Sequence, residues 1–209
     1  MYSVDLVHST PDGDNLIAYM ARVSNPSNQN NTETSARLIK YLIKHKHWSP
    51  FEMVNMCVQI TTTRSIAAQI LRHRSFSFQE FSQRYAGVTA KPDTLVVRRQ
   101  DTTNRQSSID DVDAFTTQDF QIKAQQVYDL SYNLYNEMLE AGIAKECARA
   151  VLPLNTVTRL YMSGTIRSWL HYVDLRGDNG TQLEHMKIAR SIGEILDDEV
   201  PTIARAMWG

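Results

Sequence analysis

The densest chemistry in the chain lies in RHRSFSFQEFSQRY, residues 72–85, where three arginines, one histidine, one glutamate and three serines share fourteen positions. Side chains of these types hold anions. A guanidinium grips phosphate or carboxylate oxygens with two parallel N–H donors and never loses its charge, hydroxyls donate to phosphate oxygens, and a carboxylate accepts from a ribose hydroxyl or a base N–H. In helical backbone Arg72, His73 and Arg74 would point about 100° apart, so one of them has to face protein or a neighbouring subunit. The cluster also has a plainer use, because cations just past a helix complement the negative end of its dipole.

Arg72, His73, Arg74, Ser77, Glu80, Ser82 and Arg84 fill every specified position of the pattern RHRxxSxxExSxR, and here the chain resembles the flavin-dependent thymidylate synthase family. The likeness continues in the same order through Ala21-Arg22-Val23-Ser24, His47-Trp48-Ser49-Pro50-Phe51-Glu52, Gln69, Arg149 to Pro153 with Leu154-Asn155, Arg167 with His171-Tyr172, and Leu175-Arg176, so that it covers nearly the whole chain. The resemblance implies reductive methylation of dUMP to dTMP. The carbon donor would be 5,10-methylenetetrahydrofolate, the hydride carrier FAD reduced by NADPH, and no enzymic covalent nucleophile would take part. It also implies a homotetramer with active sites shared between subunits.

Carried over residue by residue, the dUMP site is Gln69, Glu80, Ser82, Gln83, Arg84, Arg149 and Arg176, and the FAD positions are Ser24, Ser49, Arg72, His73, Arg74, Glu80, Thr165, Arg167 and His171. Arg176 and Ser82 are the catalytic positions. Within that set Arg84 and Arg149 suit the dUMP phosphate. Arg176 suits the uracil ring, where a guanidinium facing a carbonyl and N3 stabilises the negative charge that develops as hydride adds. Ser82 is expected to be a substrate ligand, since an activated serine needs a base within reach. Two positions depart from the family pattern. Thr165 stands where many relatives have asparagine, whose amide offers a donor and acceptor pair, and Gly180 stands where many have histidine.

Several elements must position these groups. Residues 2–8 alternate as a short strand, and Pro11-Asp12-Gly13 turns into a helical pattern at Leu16, Ile17, Met20 and Val23. A polar loop spans 25–32, and a helix is expected from about Glu33 to Lys44. Phe51 to Thr63 has the clearest period of two, and Thr63 is placed to cap a short helix through Ile66 and Ile70. Leu95–Val97 has strand composition and is followed by the loop RRQDTTNRQSSIDDVD. An amphipathic helix is expected from about Thr117 to Ala141, ending at Gly142, then a short one from Ala144 that stops before Pro153. A strand over Thr156–Ser163, a helix over Ile166–Leu175 and a last helix from Thr181, broken or kinked at Pro201, complete the chain. The expected fold is α+β, one domain over residues 1–209, with a mostly antiparallel sheet flanked by long helices.

Bulk properties exclude other classes. The formal charge is −1 from 22 basic and 23 acidic residues, without the basic excess of a protein that coats nucleic acid. A nucleic-acid reading would need Arg72, Arg74, Arg84, Arg98 and Arg99 on one face with Phe76, Phe78 and Tyr85 stacking on bases. No apolar run approaches the roughly 18 residues of a membrane span, and no export signal opens the chain, so a cytoplasmic location is expected. Cys57 and Cys147 form no CxxC pair and are expected to be buried; neither lies in a motif resembling the thymidylate synthase that attacks with a thiolate. His8 and His45 read as solvated or locally satisfied, and His185 as a surface residue. No metal-ligand set and no GxGxxG after a strand is present, so a Rossmann mode of FAD binding is not expected. A non-catalytic flavin- or nucleotide-storage protein has no separate support in the sequence.

Overall fold

The computed structural model describes residues 2–209. In chain order the elements are β1 (Ser3–Ser9), α1 (Gly13–Ala21), α2 (Ser35–Lys44), β2 (Asn55–Thr63), α3 (Arg64–Ile70), β3 (Ser77–Glu80), the two-residue strands β4 (Arg99–Gln100) and β5 (Ser108–Ile109), α4 (Ala114–Glu140), α5 (Lys145–Ala148), β6 (Val157–Thr165), α6 (Ile166–Arg176), α7 (Leu183–Glu199) and α8 (Pro201–Trp208). This is the expected α+β arrangement. The main sheet has the order β1-β2-β6-β3, and every neighbouring pair is antiparallel. β2 and β6 pair without a break from Asn55↔Thr165 to Thr63↔Val157.

The period of two in β2 explains its central place: Met56, Val58 and Ile60 are fully buried and join the core that α1, α2, α6, α7 and α8 cover. Directly after β6, α6 turns back across the sheet, and the indole N–H of Trp169 donates to the Met56 carbonyl at 3.0 Å. Gly164 is required on β6, because a methyl group there would stand 2.5 Å from the Phe76 ring. Thr63 does lead into α3, but its hydroxyl bonds to that of Ser65 at 2.8 Å, and the first N–H groups of α3 donate to the carbonyls of Thr156 and Leu154.

Helix ends follow their local chemistry. Asp113 caps α4 by accepting from the Thr116 N–H at 2.9 Å. The helix stops where Gly142 adopts φ +79, with Gly142 N–H donating to Leu139 and Ile143 N–H to Met138. Pro201 breaks the last helix in two, standing at the first position of α8, where an N–H would have no intrahelical acceptor. The next two N–H groups of α8 donate to the Asp14 carboxylate from α1, at 2.8 and 3.1 Å.

Four expectations fail, and one strand, β3, was not expected. Leu95–Val97 is irregular, and the nearby strand is β4, paired with β5 inside the segment read as loop. β3 was not foreseen, because an edge strand of alternating exposed Ser77 and Gln79 carries only Phe78 and Glu80 inward. Val23 lies beyond α1 and is exposed, and the strand expected from Phe51 starts at Asn55 after a single 3₁₀ turn. Cys57 is buried but Cys147 is exposed, since Ala148 takes the inward position of α5.

Candidate active site

Three groups of the anticipated residues are brought together, each in a different place on the protomer. The first lies where α3, α6 and α7 meet. Arg176, at the end of α6, donates its Nε–H to His73 Nε2 at 3.0 Å. That bond requires a lone pair on Nε2, so His73 is neutral with its proton on Nδ1. Burial, followed by the charges of Arg176 and His171, pushes the His73 pKa down to about 4. Gln69, on the last turn of α3, is held through Oε1 by His185 Nδ1 at 3.3 Å and through Nε2 by Gln182 Oε1 at 2.7 Å. His185 in turn meets the Tyr172 hydroxyl at Nε2 at 2.9 Å. His185 is fully buried, which corrects its reading as a surface residue; burial, then Arg176 and His73, lower its pKa to about 4. Burial also pushes the Tyr172 phenol upward.

The second group lines a cleft of about 370 Å³ formed by Arg64, Gln83, Glu146, Arg149 and the turn through Leu154. Arg84 reaches the rim, paired with Glu146 at 3.2 Å, while Arg149 makes no ion pair or side-chain hydrogen bond among the described residues. Glu80 joins from β3 through Arg64, whose Nη1 lies 2.5 Å from Glu80 Oε1, and Thr158 donates to the same oxygen at 3.0 Å. Ser82 is exposed one residue before Gln83, and its carbonyl accepts the turn N–H groups of Tyr85 and Ala86. Arg64 opens α3 and Gln69 closes it, so the first two groups stand at opposite ends of a helix about 10 Å long.

The third group is a cleft of about 500 Å³ lined by Trp48, Glu52, Ser75, Arg167, Ser168, His171, Asp174 and Met207. Arg167, His171 and Asp174 recur at helical spacing along one side of α6, and Arg167 pairs with Glu52. Ser49 opens the 3₁₀ turn that carries Glu52. Thr165 has a local use, capping α6 by accepting from the Ser168 N–H. Ser24 stands apart from all three, lining a separate cleft with Arg22, Arg37 and Tyr41. Arg72 and Arg74 are exposed just past the end of α3, where their charge also complements the helix dipole, and neither has an ion pair among the described residues.

The residues not foreseen are those that support the site: Arg64, Arg98, Tyr172, Gln182, Glu184 and His185. One of them was readable. His185, Ala189, Ile192 and Leu196 follow the four-three-four spacing of the buried side of α7, which places the histidine inside. The nucleic-acid alternative loses its surface: Phe76 is buried, Arg98 is tied to Glu184 at 2.7 Å and Arg99 to Asp111 at 2.9 Å. Among the described residues no group of three or more histidines, cysteines or carboxylates is placed to hold a metal ion, and no helix is long and apolar enough to cross a membrane.

Known proteins share this sequence and fold. The family model described as "Thymidylate synthase complementing protein" matches residues 5–202. The chain is 52% identical over 202 residues to the "Probable flavin-dependent thymidylate synthase" of Paramecium bursaria Chlorella virus 1, covering 97% of this chain and 94% of that protein. It is also 52% identical over 198 residues to the "Flavin-dependent thymidylate synthase" of a Synechocystis strain, covering 95% and 90%. The crystal structure of a UMP/dUMP methylase, PolB from Streptomyces cacaoi bound with 5-Br dUMP, matches with a TM-score of 0.85 and 26% identity over 99% of this chain and 94% of that one. The chain therefore belongs to the thymidylate synthase complementing protein family, the flavin-dependent thymidylate synthases, and is an enzyme of the methyltransferase class.

Proposed function

We propose that this chain makes dTMP from dUMP, taking the one-carbon unit from 5,10-methylenetetrahydrofolate, with FAD as hydride carrier and NADPH as its reductant, in a homotetramer whose sites draw residues from more than one subunit. The observation that carries the reading is 52% identity over nearly the full length to flavin-dependent thymidylate synthases, with every position of the arginine motif present. The distribution of charge agrees with it. Arg72, Arg74 and Arg149 are cations without an ion pair among the described residues, and such groups suit phosphate-bearing ligands. Three separate clusters in one protomer also fit a site completed by neighbouring chains.

In this reading Arg84 and Arg149 bind the dUMP phosphate at the cleft they share with Gln83, while Glu80, Gln69 and Ser82 accept or donate to sugar and base. Arg176 faces the uracil and stabilises charge on the ring; its N–H groups beyond Nε remain for that task, and neutral His73 orients the guanidinium. The third cleft fits part of a flavin nucleotide, having an apolar wall of Trp48, Leu170 and Met207 beside the donors Arg167, His171, Ser168 and Ser75. The flavin supplies the hydride, chemistry that no side chain can perform. A covalent thiol route finds no support at Cys57, which is buried within β2; burial raises its pKa, against a smaller lowering by a hydrogen bond from Ser163.

The purified protein should be yellow, and its NADPH oxidation should be coupled to dTMP formation only when dUMP and methylenetetrahydrofolate are both present. A colourless protein that FAD cannot reconstitute would defeat the reading.

A further inference from the structure

Six side chains at the meeting of α3, α6 and α7 form a continuous chain of hydrogen bonds: Tyr172, His185, Gln69, Gln182, Glu184 and Arg98. Its direction is set at one end. Glu184 is paired with Arg98 at 2.7 Å and stays ionised, because its backbone hydrogen bond, Gln182 and Arg98 together outweigh the effect of its partial burial. An ionised carboxylate only accepts, so Gln182 must turn its NH₂ group to Glu184, at 2.9 Å, and its carbonyl oxygen to Gln69. Gln69 must then present its own NH₂ to Gln182 and its carbonyl oxygen to His185. That oxygen needs a donor, so the His185 proton sits on Nδ1, its Nε2 carries a lone pair, and the Tyr172 hydroxyl donates to it. Every donor in the row points toward Glu184. The second N–H of Gln69 has no acceptor among the described residues and is the group left for a ligand.

We propose that His185 and Gln182 are positioning residues for Gln69: they hold its amide in the one orientation that offers an N–H, and not a carbonyl oxygen, to an oxygen of the pyrimidine nucleotide. This rests on the reading of Gln69 as a dUMP ligand. A glutamine amide free to flip offers the wrong group part of the time and must be ordered on binding, so loss of the relay weakens dUMP. It does not slow the chemical step once the site is saturated. His185 suits the task because it is fully buried, with one ring nitrogen engaged by Gln69 and the other by Tyr172, and its ring stands edge-to-face to His73 at 6.1 Å between centres.

The test is a double-mutant cycle on the FAD-loaded protein, with dUMP affinity measured by titration calorimetry and turnover measured at saturating dUMP. His185→Gln keeps a polar atom toward Tyr172 but loses the donor to Gln69, and should weaken dUMP about tenfold with turnover changed less than about twofold. His185→Asn retains an N–H at the Nδ1 position and should recover affinity to within about threefold of the parent. Gln182→Met, at an exposed position that tolerates the change, should weaken dUMP about threefold even if His185→Gln fails to fold. All of these losses should vanish in a Gln69→Ala background. Equal losses with and without Gln69, or His185→Asn no better than His185→Gln, would overturn the positioning role while leaving Gln69 as a ligand. Unchanged dUMP affinity in Gln69→Ala would instead remove Gln69 from the dUMP site and the proposal with it.

Discussion

Two regions of the protomer handle charge in opposite ways. Around His185 and Gln69 nearly every polar group has a partner among the described residues, with His185 buried, Gln69 half-buried and Gln182 at the exposed edge. Arg72 and Arg74 are exposed and the half-buried Arg149 lies in its cleft, none with an ion pair among the described residues, while Arg84 and Glu146 form an exposed pair that water and salt screen strongly; in that cleft Arg64 is closely paired, with Glu80. In the proposed reading the contrast separates two functions. A satisfied network is already ordered before substrate arrives and acts by geometry, whereas unsatisfied cations act by supplying binding energy when an anion reaches them.

The contrast is sharpest at Arg176, which belongs to both regions, being tied to His73 by one N–H and left with others for a ligand. Arg176→Ala should cut dTMP formation by about 10²- to 10³-fold, by loss of charge stabilisation on the ring, while circular dichroism stays unchanged. Residual turnover near the parent's would remove Arg176 from the reacting centre.

Next in size is Arg149→Ala. Because Arg149 has no ion pair or side-chain hydrogen bond among the described residues, its loss should leave the melting temperature within about 2 °C and raise KM for dUMP by about tenfold or more. A large drop in melting temperature would mean that this arginine serves the fold instead of the ligand.

The last effect acts on stability, not on activity, and concerns pH and the satisfied region. His73 and His185 titrate near 4 in the folded protein against 6.5 for an ordinary histidine, so the folded state resists protons that the unfolded chain accepts. The contribution of these two histidines should therefore be constant above about pH 6.5, fall as the pH drops from there to about 4, and level off below, where the loss carried by depressed carboxylates such as Glu184 takes over. The fall contributed by His185 is on the order of 3 kcal/mol. Urea unfolding at several pH values would measure it, and His185→Gln should flatten the slope. Stability that rises on acidification through this window would contradict neutral, buried rings.

Periodicity made most of the elements legible. β2, α4 and its stop at Gly142, α6 and the break at Pro201 follow from local rules that act within a few residues, namely side-chain alternation, glycine's access to positive φ and proline's missing N–H. β3 and the β4-β5 pair were not legible, because short polar strands are held by partners distant in sequence, as Ser77 is by Ser163. For the site, the arginine motif named the residue types but not their company. Gln69 and Gln182 are 113 positions apart, and Arg176 and His73 are 103 apart. His185 shows the same divide within one residue: its spacing along α7 marks the buried side, yet nothing local tells that Tyr172 and Gln69 wait there.

The sequence by itself determined the chemical inventory, the helices and central strands, and the family, because each is written in short-range patterns of side-chain type. Only the tertiary structure decided which histidines are neutral, which arginines are paired and which way the Gln69 amide faces. Those properties depend on desolvation and on hydrogen-bond partners that packing delivers from far along the chain.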